Sequence, residues 1–193
     1  MYINTYVSRA GAKLEKALKE FNIDVEGKVC VDLGSSTGGF TDCLLQHGAR
    51  KVYAVEKGYG VLEWKIRQDE RVVVMERQNA LYVALPEQVD VAVIDCGWTK
   101  QRFIVPKALD LLKENGIIIT LLKPHYEAER HELKKGKVLD DMVEKIRDRV
   151  IDELKEMNVK VENIIESPIV GGKGKNKEFL LLITRQRTSQ SYG

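Results

Sequence analysis

Four short stretches of this chain carry residue types and spacings that could do chemistry. The first is Val29-Cys30-Val31-Asp32-Leu33-Gly34-Ser35-Ser36-Thr37-Gly38-Gly39-Phe40. An apolar run ends in an acid, and a tight Gly/Ser turn then opens a helix. Glycine lets backbone approach a ligand closely, and a helix N-terminus offers free N–H groups. The spacing Asp-x-Gly-x-x-x-Gly is not the Gly-x-Gly-x-x-Gly of dinucleotide folds, and no Gly-Lys-Ser/Thr follows as in a phosphate loop. An acid at the strand end suits a ligand with an amino group and no pyrophosphate, which describes S-adenosylmethionine. The alternative reading is a structural glycine turn.

The second stretch is Val52-Tyr53-Ala54-Val55-Glu56. A carboxylate at that strand end can accept both ribose hydroxyls of a nucleoside cofactor, a feature NAD and S-adenosylmethionine share. Asn79, in Arg77-Gln78-Asn79-Ala80, is placed to bond an adenine edge or to cap a turn. The third and fourth stretches are Val93-Ile94-Asp95-Cys96-Gly97-Trp98 and Leu121-Leu122-Lys123-Pro124-His125. Open α/β sheets bind ligands beyond the carboxyl ends of their strands. Asp95 and Lys123, at the ends of successive strands, would face each other there, although either alone could be a surface ion pair.

The elements that must position these residues alternate. Strands are predicted at Lys28–Leu33, Val52–Glu56, Val72–Met75, Val91–Asp95, Ile117–Leu122, Val159–Ile165 and Glu178–Thr184. Most are continuous β-branched runs, as in strands buried on both faces of a parallel sheet. Helices are predicted over Ser8–Phe21, Gly39–His47, Gly60–Gln68, Lys100–Lys113 and Asp141–Met157. The alternation implies a doubly wound α/β domain with helices on both faces. The loop between the last two strands is Gly/Lys-rich and too short for a parallel crossover, so the final strand must run antiparallel. Seven strands with the last reversed is the Rossmann-like layout of class I methyltransferases. One domain is expected over residues 1–193, with a helical extension (1–27), a core (28–185) and a tail (186–193).

Composition narrows the class. The 193 residues are 44% hydrophobic and 31% charged, which is globular. The net charge of +2 does not by itself announce a polyanion binder. No apolar run approaches the ~18 residues of a membrane span, and the charged start lacks a signal peptide's apolar core. Cys30, Cys43 and Cys96 form no CxxC pair, so neither a disulfide framework nor a metal site is expected. Cys30 reads as core, and a reducing cytoplasm is the expected location. Charge is nonetheless uneven: Lys123–Lys137 and the segment from Gly171 onward are basic, whereas Val138–Glu166 is acidic. A basic face opposite an acidic one would bind a polyanion locally, and ordinary solvated loops are the alternative.

Taken in order, Ser8-Arg9-Ala10-Gly11-Ala12-Lys13-Leu14, the Asp32–Phe40 loop, Val52–Gly60, Asp95, Lys123-Pro124 and Glu178-Phe179 resemble FtsJ-type RNA ribose methyltransferases. Within them the chain is most similar to the hemolysin A (TlyA) branch, which methylates ribosomal RNA at ribose 2′-hydroxyls. The resemblance implies S-adenosylmethionine as cofactor, held by Asp32, Gly34, Ser35, Ser36, Thr37, Gly38, Gly39, Phe40, Glu56, Asn79 and Asp95. It also implies a Lys-Asp-Lys-Glu tetrad at Lys13, Asp95, Lys123 and Glu178. The residues alone point to Asp95 and Lys123, and read Lys13 as a helix surface charge and Glu178 as the polar start of a strand.

In that tetrad Lys123 is the expected base for the hydroxyl proton. Its pKa must then fall from ~10.4 toward ~7–8. Lys13 and the cofactor's positive sulfur would push it down, Asp95 would push it up and orient it, and Glu178 would hold Lys13 or the ribose. The branch usually reads Asp-Val-Ser-Phe where this chain has Asp95-Cys96-Gly97-Trp98. Trp98 is therefore a candidate aromatic platform for RNA, with a core or lid contact as the alternative. The branch also carries an S4-type RNA-binding domain ahead of the catalytic one, whereas this sequence opens just before Ser8. A separate RNA-binding partner is the corresponding expectation. The candidate RNA contacts are Arg9, Trp98, Lys100, Arg102, Lys134, Lys135, Lys137, Lys173 and Lys175. The competing function is an RNA-binding or hemolysin-like protein of the same fold acting on a different or small-molecule substrate.

Overall fold

A computed structural model describes residues 5–171 and 175–186. Helix α1 (Ala10–Glu20) precedes β1 (Val29–Leu33), α2 (Gly39–Gln46), β2 (Lys51–Glu56), α3 (Trp64–Arg67), β3 (Val72–Glu76) and β4 (Val89–Ile94). Then come α4 (Gln101–Leu111), β5 (Leu112–Leu122), α5 (Pro124–Glu127), β6 (Leu133–Lys134), β7 (Lys137–Val138), α6 (Val143–Lys155), β8 (Val159–Glu166) and β9 (Phe179–Arg185). The main sheet has seven strands in the order β3-β2-β1-β4-β5-β9-β8. β9 runs antiparallel to both β5 and β8, and the other pairs are parallel, as the short Gly/Lys loop requires.

Both faces of the sheet are covered because successive side chains of a strand point to opposite sides. Val29, Val31 and Leu33 of β1 join Tyr53, Val55, Ala92 and Ile94 beneath α4 and α6, which contribute Ile104, Val105, Ile146, Val150 and Leu154. Cys30 points the other way, with Val52, Ala54, Val91 and Val93, beneath Leu14, Ala17 and Leu18 of α1 and Phe40 and Leu44 of α2. Cys30 is fully buried there. Each such aliphatic side chain contributes about 1.5–3 kcal/mol when it leaves water.

The strand expected at Ile117–Leu122 starts earlier, at Leu112, and three predicted helices change shape. The helix expected over Gly60–Gln68 is one turn, α3, because Gly60 adopts a left-handed φ and Glu63 is still extended. The helix expected to Lys113 stops at Leu111, since Leu112 already pairs with Val89 of β4. The long helix begins at Val143, with a 3₁₀ turn over Asp140–Met142 ahead of it. Two features had no prediction: the short helix α5, and the β6–β7 hairpin turned by Lys135 and Gly136. Lys173 and the predicted tail beyond Gln186 lie outside the described residues. No described helix is long and apolar enough to cross a membrane.

Register is what builds the functional edge. Leu33 pairs with Val55 and with Ile94, and Ile94 pairs with Thr120. The carboxyl ends of β1, β2, β4 and β5 are therefore level. The antiparallel pairing of Leu122 with Phe179 brings the start of β9 to the same edge, so Glu178 lies beside Lys123.

Candidate active site

The first half of the site is the turn from β1 into α2. Gly34 has φ +90°, and a Cβ there would lie 3.0 Å from the Asp95 carbonyl oxygen and 3.2 Å from Cys96 Cα. Only glycine lets the loop cross the end of β4 this closely. The Gly34 and Ser35 amides donate to the Val55 carbonyl, at 2.9 and 3.0 Å. The Ser36 amide donates to Glu56 Oε2 at 2.9 Å, and the Gly58 amide donates to Oε1 at 2.7 Å. Glu56 is thus fixed at the lip of the loop by backbone N–H groups.

Asp32 lies beneath this loop rather than on it. Its Oδ2 accepts from the Thr41 amide (3.0 Å) and hydroxyl (2.7 Å), pinning the first turn of α2. Burial pushes its carboxyl up to about 7, and the neighbouring charges of Asp95 and Glu56 add to the rise. Its Oδ1 and the Ser35 hydroxyl are buried without a partner. Of the other predicted cradle residues, Thr37 is half-buried and its carbonyl accepts from the Glu63 amide, whereas Phe40 is core. A Cβ on Gly39 would lie 3.0 Å from the Gly11 amide nitrogen, so this glycine seats α1 against α2. Asn79 is exposed, and its Oδ1 caps a turn at the Leu81 amide.

The second half is a cavity of about 270 Å³ lined by Ser8, Arg9, Ala10, Lys13, Asp95, Lys123, His125, Tyr126 and Glu178. The four tetrad candidates reach it from α1, the end of β4, the end of β5 and the start of β9. Lys13 donates to Glu178 Oε2 at 2.5 Å, and both side chains are buried. Lys123 is ion-paired with Asp95, its Nζ lies 3.4 Å from the Cys96 carbonyl, and it stands 5.6 Å from the Tyr126 ring centroid. Burial pushes the Lys123 ammonium down, but the Asp95 charge and hydrogen bond, with Glu178 behind them, hold it above the ordinary lysine value. The net shift of Lys123 is upward, opposite to the fall that a general base requires, with Lys13 itself paired to Glu178.

Two residues that sequence reasoning missed share this cavity. His125 has its Nδ1 buried without a partner, and burial plus the Lys123 and Lys13 charges lower its pKa. Tyr126 packs between His125 (centroids 4.1 Å apart) and Trp98 (4.7 Å). Their signal was their place directly after the strand-end Lys123-Pro124. Trp98 itself is 86% exposed and has φ +61°. It is a surface ring resting on Tyr126, not core.

The basic candidates divide. Arg9 is exposed and lines the tetrad cavity. The Lys100 ammonium donates to the Glu127 carbonyl, and Arg102 lies over the Phe103 ring. Lys134, Lys135 and Lys175 are exposed on the β6–β7 hairpin and the loop before β9, while Lys137 pairs with Asp140. Among the described residues no cluster of three His, Cys, Asp or Glu could hold a metal ion.

Residues 6–185 match the sequence profile described as FtsJ-like methyltransferase. A Bacillus subtilis protein provisionally designated an rRNA methyltransferase, YqxC, is 47% identical over 182 residues; the match covers 91% of this chain but only 64% of that protein, under two thirds of its length. The 16S/23S rRNA (cytidine-2′-O)-methyltransferase TlyA of Mycobacterium tuberculosis is 36% identical, over 93% of this chain and 69% of its own. Among solved structures, a protein of Streptococcus thermophilus provisionally designated a hemolysin superposes with a TM-score of 0.90 at 39% identity, covering 95% of this chain and 68% of that one.

Proposed function

The chain belongs to the FtsJ-like methyltransferase family, and we propose that it transfers the methyl group of S-adenosylmethionine to a ribose 2′-hydroxyl of RNA, with ribosomal RNA in the cytoplasm as the substrate. The observation that carries this reading is the convergence of Lys13, Asp95, Lys123 and Glu178 on one cavity, where the Asp95 backbone touches the Gly34 turn. The ribose specificity named for the TlyA relative supports it.

The residues present fit the cofactor. Gly34 and Gly38 give the turn its left-handed corners, Glu56 presents a fixed carboxylate, and the Ser35 hydroxyl is buried with no protein partner. The cofactor would supply an electrophilic methyl and a positive sulfur. Lys123 Nζ takes the hydroxyl proton and must be neutral to do so, which Asp95 opposes in the resting site. Asp95 holds the amine in place, and the Lys13–Glu178 pair bounds the cavity on the other side. His125, held neutral, offers a ring nitrogen to a ribose hydroxyl. Positioning the hydroxyl supplies much of the acceleration. The exposed cations Arg9, Lys134, Lys135 and Lys175 meet backbone phosphates, the exposed Trp98 ring meets a base, and a separate RNA-binding module or partner completes target choice.

The test is methyl-labelled S-adenosylmethionine with purified ribosomal subunits and total RNA, followed by digestion to nucleosides. Label in a 2′-O-methyl nucleoside is the expected result. Label on a nucleobase would reject the tetrad assignment.

A further inference from the structure

The β6–β7 hairpin and the loop before β9 are distant in sequence but locked together by one buried side chain. Asn176 is 6% exposed. Its Oδ1 accepts from the Val138 amide at 3.0 Å, and its Nδ2 donates to the Gly136 carbonyl at 3.3 Å. Two backbone groups at the hairpin turn are therefore satisfied by the chain that enters β9. Asn176 in turn accepts from the Gly171 amide at 2.8 Å, and two residues later Glu178 pairs with Lys13.

The hairpin's other side is tied to the opposite half of the tetrad. Glu132, just before β6, takes a two-pronged pair from Arg149, at 2.7 and 3.0 Å, which holds its carboxyl down at about 2. Arg149 also lies 3.5 Å from the carbonyl of Glu127 in α5, the helix that Lys123 precedes. The hairpin thus stands between the arm bearing Lys123 and the arm bearing Glu178.

At its tip are Lys134 and Lys135, with Lys175 on the adjoining loop. All three are exposed and have no ion-pair partner among the described residues. Lys135 has φ +51° and Lys175 φ +47°. Left-handed backbone is unfavourable at a lysine, where Asn or Gly would sit more easily. Lys135 directly precedes Gly136 and Lys175 directly precedes Asn176, so both exposed lysines adjoin the Asn176 lock in the chain.

We propose that the Lys134-Lys135 hairpin grips backbone phosphates of the substrate RNA, and that Asn176 is a positioning residue that couples this grip to the Glu178–Lys13 arm of the cavity. The proposal rests on the RNA methyltransferase reading. It predicts that losing the grip and losing the coupling overlap in effect, because both act through one rigid connection.

The experiment is methyl transfer to purified bacterial ribosomal RNA at several salt concentrations. It compares the wild type with K134E/K135E, Asn176→Ala, and the two combined. K134E/K135E is expected to raise KM for RNA about tenfold and to reduce the salt slope by roughly 0.7–0.9 per lysine. Asn176→Ala is expected to raise KM for RNA similarly and to lower kcat as well. The combined variant should raise KM no further than the larger single effect. Asn176→Asp keeps the acceptor for Val138 and loses the donor to Gly136, so it should show the same pattern more weakly, even if the alanine variant unfolds. Multiplying effects in the combined variant would overturn the coupling. A lowered Tm with unchanged KM and kcat would make Asn176 merely structural. Unchanged KM and salt slope in K134E/K135E would remove the grip. A wild type that methylates no RNA would instead defeat the underlying reading, and the proposal with it.

Discussion

The proposed cofactor cradle and the cavity of the proposed tetrad meet where Gly34 packs against the backbone of Asp95, yet they are built in opposite ways. The cradle comes from one short stretch, Gly34 to Gly38, plus Glu56, and is held mainly by backbone amides donating to Val55 and Glu56. The cavity comes from four segments, and its Lys13–Glu178 pair joins residues 165 positions apart. It is held by charge. A backbone-built site fails when a conformation is denied, whereas a charge-built site fails when one partner is left buried alone.

The sharpest break in that comparison is at Glu178. Glu178→Ala leaves the buried Lys13 ammonium unpaired and should cost about 3–5 kcal/mol of stability, read by urea unfolding. Replacing both partners with apolar side chains should recover most of that stability while leaving transfer lost. Recovery of transfer would show that the pair is only structural. Gly34→Ala attacks the cradle by geometry alone. With a φ of +90° and the Asp95 carbonyl 3.0 Å away, it should cost about 1–3 kcal/mol and weaken S-adenosylmethionine binding in calorimetry. Glu56→Gln removes the charge and leaves one accepting oxygen where two accepted from the Ser36 and Gly58 amides. It should weaken cofactor binding by roughly ten- to a hundredfold with a smaller change in kcat, in line with the ~1.5–3 kcal/mol of a hydrogen bond to a charged group.

The smallest effect is one of pH. Asp32 titrates at about 7 in the fold, chiefly through burial, against an ordinary 3.8. Between pH 4 and 7 the folded state then binds more of its proton than the unfolded state does. Its contribution to stability therefore falls as pH rises through that window. The difference in Tm between wild type and Asp32→Asn should move in the variant's favour from pH 4 to pH 7. A difference independent of pH would mean that Asp32 is ionised throughout.

The same contrast explains what the sequence made legible. The glycine turn was readable because its chemistry is local: an acid, two left-handed glycines and a helix start lie within a few residues. Asp95 and Lys123 were readable because strand ends in a parallel sheet share one edge. Lys13 and Glu178 were not readable from the residues, and only the family resemblance marked them. Their meeting depends on the Leu122–Phe179 register and on α1 seating against Gly39, both non-local. The β6–β7 hairpin escaped because its strands are two residues each and its turn places a lysine at positive φ. His125 and Tyr126 escaped although they directly follow the strand-end Lys123-Pro124, because that place alone does not separate a cavity wall from a loop.

The central claim is that cradle and cavity divide the work, one holding the methyl donor and the other activating the hydroxyl. Lys123→Ala tests it most directly, by measuring S-adenosylmethionine affinity calorimetrically and methyl transfer to ribosomal RNA in the same preparation. The predicted result is unchanged cofactor affinity with transfer reduced about 10²–10⁴-fold, the usual worth of a general base. Transfer at the wild-type rate, or loss of cofactor binding in step with activity, would contradict that division.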